Sequence, residues 1–260
     1  MNIVVLSPNC RGVGVTSVAY LLAAELKHKG EFVQLLDLNS KRPGLLSICR
    51  SIPKLDGTEY TGMTNLVQLI RTSTLTSEDM NNCAVDAGVS TICVTPEITD
   101  AEIIELPKLT KACQISGRNL YTVIDLNTDD TSSDLFKNAV KEADMCVFVL
   151  TQDLAVLDTV INCAQTNDSS MRQNHISTMY VVNRYEECAL NLKSIWNKFN
   201  VQDKKCWFKL AYNKHIMQAK SLGLHLQLVD ALHDSLDADV SVVKADISRI
   251  ASHAIISRMR

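Results

Sequence analysis

MNIVVLSPNCRGVGVTSVAYLLAAEL, residues 1–26, holds the segment on which the reading of the whole chain turns. Asn2 to Leu6 is short, apolar and β-branched, as a buried strand is. From Val15 to Lys29, Val18, Leu21, Leu22, Glu25 and Leu26 recur at helical spacing, and Gly30 stops the pattern. Phe32 to Leu36 reads as a second strand. Strand, glycine-bearing loop, helix and strand within forty residues make a βαβ unit. A loop of this kind aims free backbone N–H groups and the positive end of the helix dipole at one point, where an anion fits.

A phosphate-binding loop has glycine, four residues, glycine, lysine, then serine or threonine. Here Gly14, Val15 and Thr16 stand at the last glycine, lysine and threonine places, and no lysine occurs between Asn2 and Glu25. Val15 cannot hold a phosphate by charge. From this loop alone two readings stay open: a nucleotide site that lacks its cation, or a plain strand-to-helix turn.

The rest of the chain continues the alternation. Helices are expected over 64–71, from Thr76, from Asp100 to Cys113 with a break at Pro107, over 133–142, 154–165, 189–199, 214–222 and 226–236, and in the tail. Strands are expected at 90–94, 120–126, 145–150, a run ending at Asn183, and 206–210. Continuous apolar strands between helices predict an α/β fold: a mostly parallel twisted sheet with helices on both faces, in one domain spanning 1–260. In such sheets ligands bind at the carboxyl ends of the strands. Besides the 7–17 loop, that edge collects Asp37, Asn39, Asp125, Asn127, Gln152, Asp153, Asn183 and Arg184. Each alone is an ordinary loop or cap residue; together they suggest a polar site.

Composition narrows the classes. Of the 260 residues 46% are apolar, enough for a large core, and the net charge of −3 gives no general attraction to nucleic acid. The nine cysteines form no CxxC pair, so a zinc site is not expected and reduced thiols of a cytoplasmic protein are. No stretch is long enough to span a bilayer, and no signal peptide is read.

These residues, in this order, resemble the ParA/MinD deviant-Walker P-loop family. Its loop reads KGGxGKT[ST]; Cys10 to Ser17 read CRGVGVTS. Its DxD strand end is LLDLN at 35–39, and its Walker B aspartate is Asp125 in VIDLN. ADMCVFVLTQDLAVLDT at 143–159 and Asn183-Arg184 fill two further motifs. The segment at 207–226 is similar to the one that flanks the base, without its proline. The 151–159 run is most similar to the CpaE/TadZ pilus-localisation branch.

The resemblance implies ATP and Mg²⁺ as ligands, a homodimer, and a protein partner in a localisation or assembly machine. It assigns nucleotide contacts to Arg11, Gly12, Val13, Gly14, Val15, Thr16, Ser17, Asn183 and Arg184. Thr16, Asp37 and Asp125 would hold the metal, and Asp37 and Asn39 take the water-placing positions. The departures weigh as much. Cys10 replaces the lysine that crosses a dimer to the partner's phosphates, Val15 the lysine on the β- and γ-phosphates, and Asn39 the second aspartate of DxD. A charge-assisted bond contributes roughly 1.5–3 kcal/mol, so each missing lysine removes roughly one to two decades of affinity. The implied function is a slow or inactive pseudo-ATPase scaffold that holds ATP weakly or not at all. The alternatives are a working partitioning or division-site ATPase and a DNA-binding protein without turnover. The last would need a basic face, for which Lys204, Lys205, Lys209, Arg258 and Arg260 are the candidates.

In the tail, Val240, Val243, Ile247, Ile250 and Ala254 make one apolar stripe. The stripe predicts packing on the sheet rather than on a lipid surface, because Trp and Phe are absent and Asp237, Asp239 and Asp246 would face anionic lipid.

Overall fold

The computed structural model describes residues 1–39, 41, 44–45, 62–72, 76–93, 98–113, 120–126, 130–216, 218, 234 and 238–258. The first unit is the expected one: β1 (Asn2–Leu6), α1 (Val15–His28) and β2 (Phe32–Asp37). Then come α2 (Gly62–Arg71), α3 (Ser77–Asn82), β3 (Val85–Asp86), β4 (Ser90–Ile92), α4 (Asp100–Ile103), α5 (Leu106–Cys113) and β5 (Leu120–Leu126). The chain continues through α6 (Asp134–Lys141), β6 (Met145–Leu150), α7 (Leu154–Gln173), β7 (Ser177–Tyr185), α8 (Leu192–Lys198), β8 (Trp207–Ala211) and α9 (Ala238–Arg258).

One sheet runs β3-β4-β2-β5-β1-β6-β7-β8. All its pairs are parallel except β3 with β4. Every residue of β1 and β6 is buried, which requires cover on both faces. β1 lies between β5 and β6, while its own helix leads away to β2. The strand order therefore reverses at β1, and the crevice outside its carboxyl end is where α/β sheets receive ligands. The loop 7–14 leaves β1 at that point.

Local chemistry explains the boundaries. Thr76 and Asp79 close a capping box on α3, with the Asp79 N–H donating to Thr76 Oγ1 at 3.2 Å and the Thr76 N–H to Asp79 Oδ2 at 2.8 Å. Ser133 caps α6 and Asn191 caps α8 through bonds from the Phe136 and Ser194 amides. Pro107 divides the expected 100–113 helix into α4 and α5 and sits in the first turn of α5, where a missing N–H costs nothing.

Several expectations needed correction. β3 was not foreseen, because two residues carry no alternation. α7 runs to Gln173 rather than Gln165, and Met171 in its last turns is buried. α8 begins only after its Asn191 cap. β7 continues past Asn183 to Tyr185 through a bulge. The 94 end of the expected 90–94 strand, Asn127, Arg260 and most of the expected helices at 214–222 and 226–236 lie outside the described residues.

The tail stripe is buried: Val240, Val243, Ile247, Ile250 and Ala254 pack with α9 against β8 and α1. Each of the Val and Ile side chains contributes roughly 1.5–3 kcal/mol on burial, so the stripe belongs to the core. Among the described residues no helix is long and apolar enough to cross a membrane. Three of the cations considered for a basic face are engaged elsewhere. Lys204 lies over the Trp196 ring, Lys209 pairs with Glu187 at 3.2 Å, and Arg258 lies over Tyr121.

Candidate nucleotide and metal site

The loop between β1 and α1 is shaped by three left-handed residues: Asn9 (φ 57°), Gly12 (φ 71°) and Gly14 (φ 97°). Gly14 is the residue before the helix. A Cβ there would collide with Asn183 Nδ2, so backbone conformation and space both demand glycine. Where α3, α6 and α8 carry side-chain caps, α1 has none. Its first amides are placed for an external acceptor.

Cys10 is buried, and desolvation pushes its thiol upward, with Asp153 adding to the rise while bonds with Ser7 and Thr159 oppose it. The thiol is therefore neutral at ordinary pH. Val15 is 2% exposed and its side chain belongs to the apolar core. Neither lysine place supplies a charge. Arg11 and Gly12 are exposed at the loop's surface, Val13 is buried, and Thr16 and Ser17 are half-buried.

On the β2–β5 side the chemistry is different. Asp37 and Asp125 lie opposite one another in the parallel register of β2 and β5, and both are fully buried. Burial, and then the Asp125 carboxyl beside it, push Asp37 well above the ordinary carboxylate value; amide bonds from Leu45, Asn39 and Gly44 pull the other way. The Leu45 and Asn39 N–H groups each donate to Asp37 at 2.9 Å, while the Leu38 N–H donates to the Asp125 carbonyl at 3.0 Å. Asn39 thus sits buried beside Asp37. The backbone of Gly44 lies against Thr16: a Cβ on Gly44 would collide with Thr16 Oγ1 and come within 2.9 Å of its Cγ2. Two carboxyls of unfavourable proximity, with the Thr16 hydroxyl against the neighbouring Gly44, are oxygen groups of the chemical kind a small hard cation such as Mg²⁺ takes.

Asn183 also reaches the loop, its Nδ2 donating to the Val13 carbonyl at 2.7 Å. Arg184, with φ 55°, is the extra residue of the β7 bulge, a feature that re-aims a side chain. Together with Gly14, Ser17, Tyr212 and Asn213 these two line a cavity of only 20 Å³. As it stands that cleft is too narrow for a purine, since ligand sites are usually about 300 Å³ or more. Asn213 caps the helical turn at 214–216, its Oδ1 accepting from the His215 amide at 2.8 Å.

Two of the polar edge residues do structural work instead. Gln152 clasps the 186–190 loop, with Nε2 donating to the Glu186 carbonyl at 2.8 Å and Oε1 accepting from its amide at 2.8 Å. Asp153 accepts from the Ala155 amide at 2.8 Å and caps α7. Sequence reasoning missed Gly44 as a contact of Thr16; a glycine beyond a DxD-type strand end is the only trace it leaves. It also did not single out Asn213, whose place after a strand and before a helical turn is a cap signal.

No protein-family model matches the chain, and no curated protein matches it in sequence. Solved structures do match in three dimensions. A ParA-family ATPase from Chlorobium tepidum TLS superposes with a TM-score of 0.69 at 13% identity, covering 97% of this chain and 98% of that one. The MinC:MinD cell division complex of Aquifex aeolicus gives 0.68 at 15%, covering 98% and 96%. The septum site-determining protein MinD of Pyrococcus horikoshii OT3, complexed with Mg-ADP, gives 0.66 at 12%, covering 98% and 96%. At these identities the likeness is one of fold: the chain has the eight-stranded, mostly parallel α/β architecture of the MinD and ParA ATPases.

Proposed function

We propose that the chain is a single-domain, ParA/MinD-like positioning protein, a pseudo-ATPase scaffold that dimerises and recruits a partner of a pilus or secretion assembly machine, as the CpaE/TadZ branch does. The observation that supports this reading most is the split composition of the 7–17 loop region. Thr16, Asp37 and Asp125 retain a metal-binding donor set, while Cys10 and the core-facing Val15 occupy both places where the family carries cations. When bound, Mg²⁺ would neutralise the two carboxylates and screen phosphate charge. The residues of this chain would bind and orient: loop amides at Gly12 to Ser17 toward phosphate, Asn183 and Arg184 toward a base once their cleft opens. Phosphoryl transfer depends on positioning and on cations at the γ-phosphate. With neither lysine, and Asn39 in place of an aspartate, efficient hydrolysis does not follow. That solved relatives of the fold carry Mg-ADP or MinC supports nucleotide and partner binding as the general theme.

The test is calorimetry of the pure protein with ATP–Mg²⁺, followed by light scattering with and without nucleotide. Weak or absent ATP binding, and a dimer at micromolar concentration that does not need nucleotide, are expected. A dimer that forms only with ATP, or a monomer under both conditions, contradicts the scaffold reading.

A further inference from the structure

A shallow, open groove of 490 Å³ lies on the edge of the sheet, between β8 with the 3₁₀ turn before it (Lys204–Cys206) and the outer face of α9. It shares no lining residue with the 7–17 loop or the Asn183 cleft. Its floor is apolar and aromatic: Phe208 and His253 meet with ring centroids 5.1 Å apart, and Ile256, half exposed, continues the surface. Its rim is cationic. The Lys205 ammonium has no acidic partner among the described residues. The Arg249 guanidinium is 68% exposed and, among the described residues, reaches only the buried Asp246, at 3.6 Å. Asp246 has a second duty, accepting the Ala211 amide of β8 at 3.1 Å. β8 ends the sheet among the described strands, and this bond closes one of its outward amides to strand addition.

We infer that this groove receives an acidic peptide segment of a partner protein, anchored by one large apolar side chain. An apolar floor with two cations at the rim, against an overall net charge of −3, is locally complementary to such a segment and not to a cationic one. Nucleic acid is the poorer occupant. Tracking a phosphate backbone needs a row of cations, and the neighbouring Lys204 and Lys209 are turned to Trp196 and Glu187. With Asp246 on the Ala211 amide, recognition falls to side chains rather than to an added strand. This inference deepens the recruitment part of the proposed function and rests on it only in supposing that a partner exists.

The experiment is selection of a displayed library of twelve-residue peptides on the immobilised full chain, without nucleotide or Mg²⁺. Its outcome is thereby independent of whether ATP binds. Enriched peptides are expected to carry several Asp or Glu around one large apolar residue. Their affinity should fall about tenfold on Lys205→Glu with Arg249→Glu, and comparably on Ala245→Trp, which fills the groove from an exposed position. Should the double variant not fold, Lys205→Gln alters an exposed side chain with no acidic partner among the described residues and carries the test at about threefold. Absence of enrichment, enriched peptides indifferent to these substitutions, displacement of bound peptide by oligothymidylate, or a change in self-association with the same variants would each overturn the inference.

Discussion

The loop after β1 is flanked by two sets of residues of opposite chemical character. On the β2–β5 side, Asp37 and Asp125 stand opposite each other, fully buried, with Thr16 nearby under Gly44. On the β6–α7 side, Cys10 sits buried beside Ser7 and Thr159, a neutral thiol where a resembling family carries lysine. Val15, at the other lysine place, faces the core. The contrast is instructive because the acidic set is expensive to keep. Two carboxyls brought together out of water disfavour each other's ionisation, and that cost is tolerated where a cation offsets it. The neutral set is inexpensive: a thiol and a valine pack without any charged ligand. On the proposed reading, a chain that holds the first set and lacks the second would engage a metal, and through it an anion, without accelerating chemistry there.

The largest expected effect breaks the contrast by restoring the missing charge. Cys10→Lys, Val15→Lys and Asn39→Asp combined should raise steady-state phosphate release about 10²-fold or more over a wild type near background, since single stabilising donors at a developing charge are worth about that much. Wild-type turnover equal to that of the combined variant would show that the missing lysines are not what limits it.

Val15→Lys alone sharpens the comparison in two directions. ATP–Mg²⁺ affinity by calorimetry should tighten roughly 10- to 100-fold if the loop is a phosphate site. Because Val15 is 2% exposed in the apolar core, thermal stability should fall by about 1–3 kcal/mol in the same variant. Unchanged affinity at lowered stability supports the plain-turn reading of residues 7–17.

The acidic set predicts a pH-dependent response to metal. Asp37 is held well above its ordinary value of 3.8, so the folded state binds its proton more tightly than the unfolded chain does. The stability this contributes is fully present below 3.8 and is lost as the pH rises through the raised folded value. A bound Mg²⁺ would replace that proton. Melting temperature should therefore rise with millimolar Mg²⁺ by a few degrees at pH 8, by less at pH 5, and return on chelation. Asp125→Asn should remove most of the response and stabilise the metal-free protein by about 1 kcal/mol at pH 8. A response to Mg²⁺ that persists in this variant places the metal elsewhere.

The smallest effect is expected at Cys10→Ser. A buried neutral thiol replaced by a hydroxyl with Ser7 and Thr159 within reach should change stability by no more than about 1 kcal/mol and leave any nucleotide binding unaltered. A large loss of ATP affinity here would mean that the thiol takes part in the site after all.

Much of the site was legible in the chain itself because its parts are local. The left-handed Gly12 and Gly14, the strand before them and the amphipathic α1 after them are encoded within residues 1–28, and the absence of lysine is plain from composition. Asp37 and Asp125 could be located at strand ends because their strands are continuous apolar runs. Gln152 and Asp153 show the limit of that reasoning. They too follow an apolar strand, yet one clasps a neighbouring loop and the other caps a helix, and nothing in the local pattern separates those duties from a binding role.

The sequence by itself determined the alternation of strands and helices, the glycine loop, the apolar stripe of α9 and the absence of lysine from residues 7–17. Each of these depends on residue type at short spacing, where side-chain periodicity and backbone freedom act directly. Only the tertiary structure decided that β2 and β5 are neighbours, which sets Asp37 beside Asp125, and that β7 brings Asn183 to Val13, 170 residues away. It alone also set Gly44 against Thr16, turned Val15 into the core, and opened the groove between β8 and α9. Strand order and helix docking are settled by the joint burial of many apolar faces, and no window of the chain contains that sum.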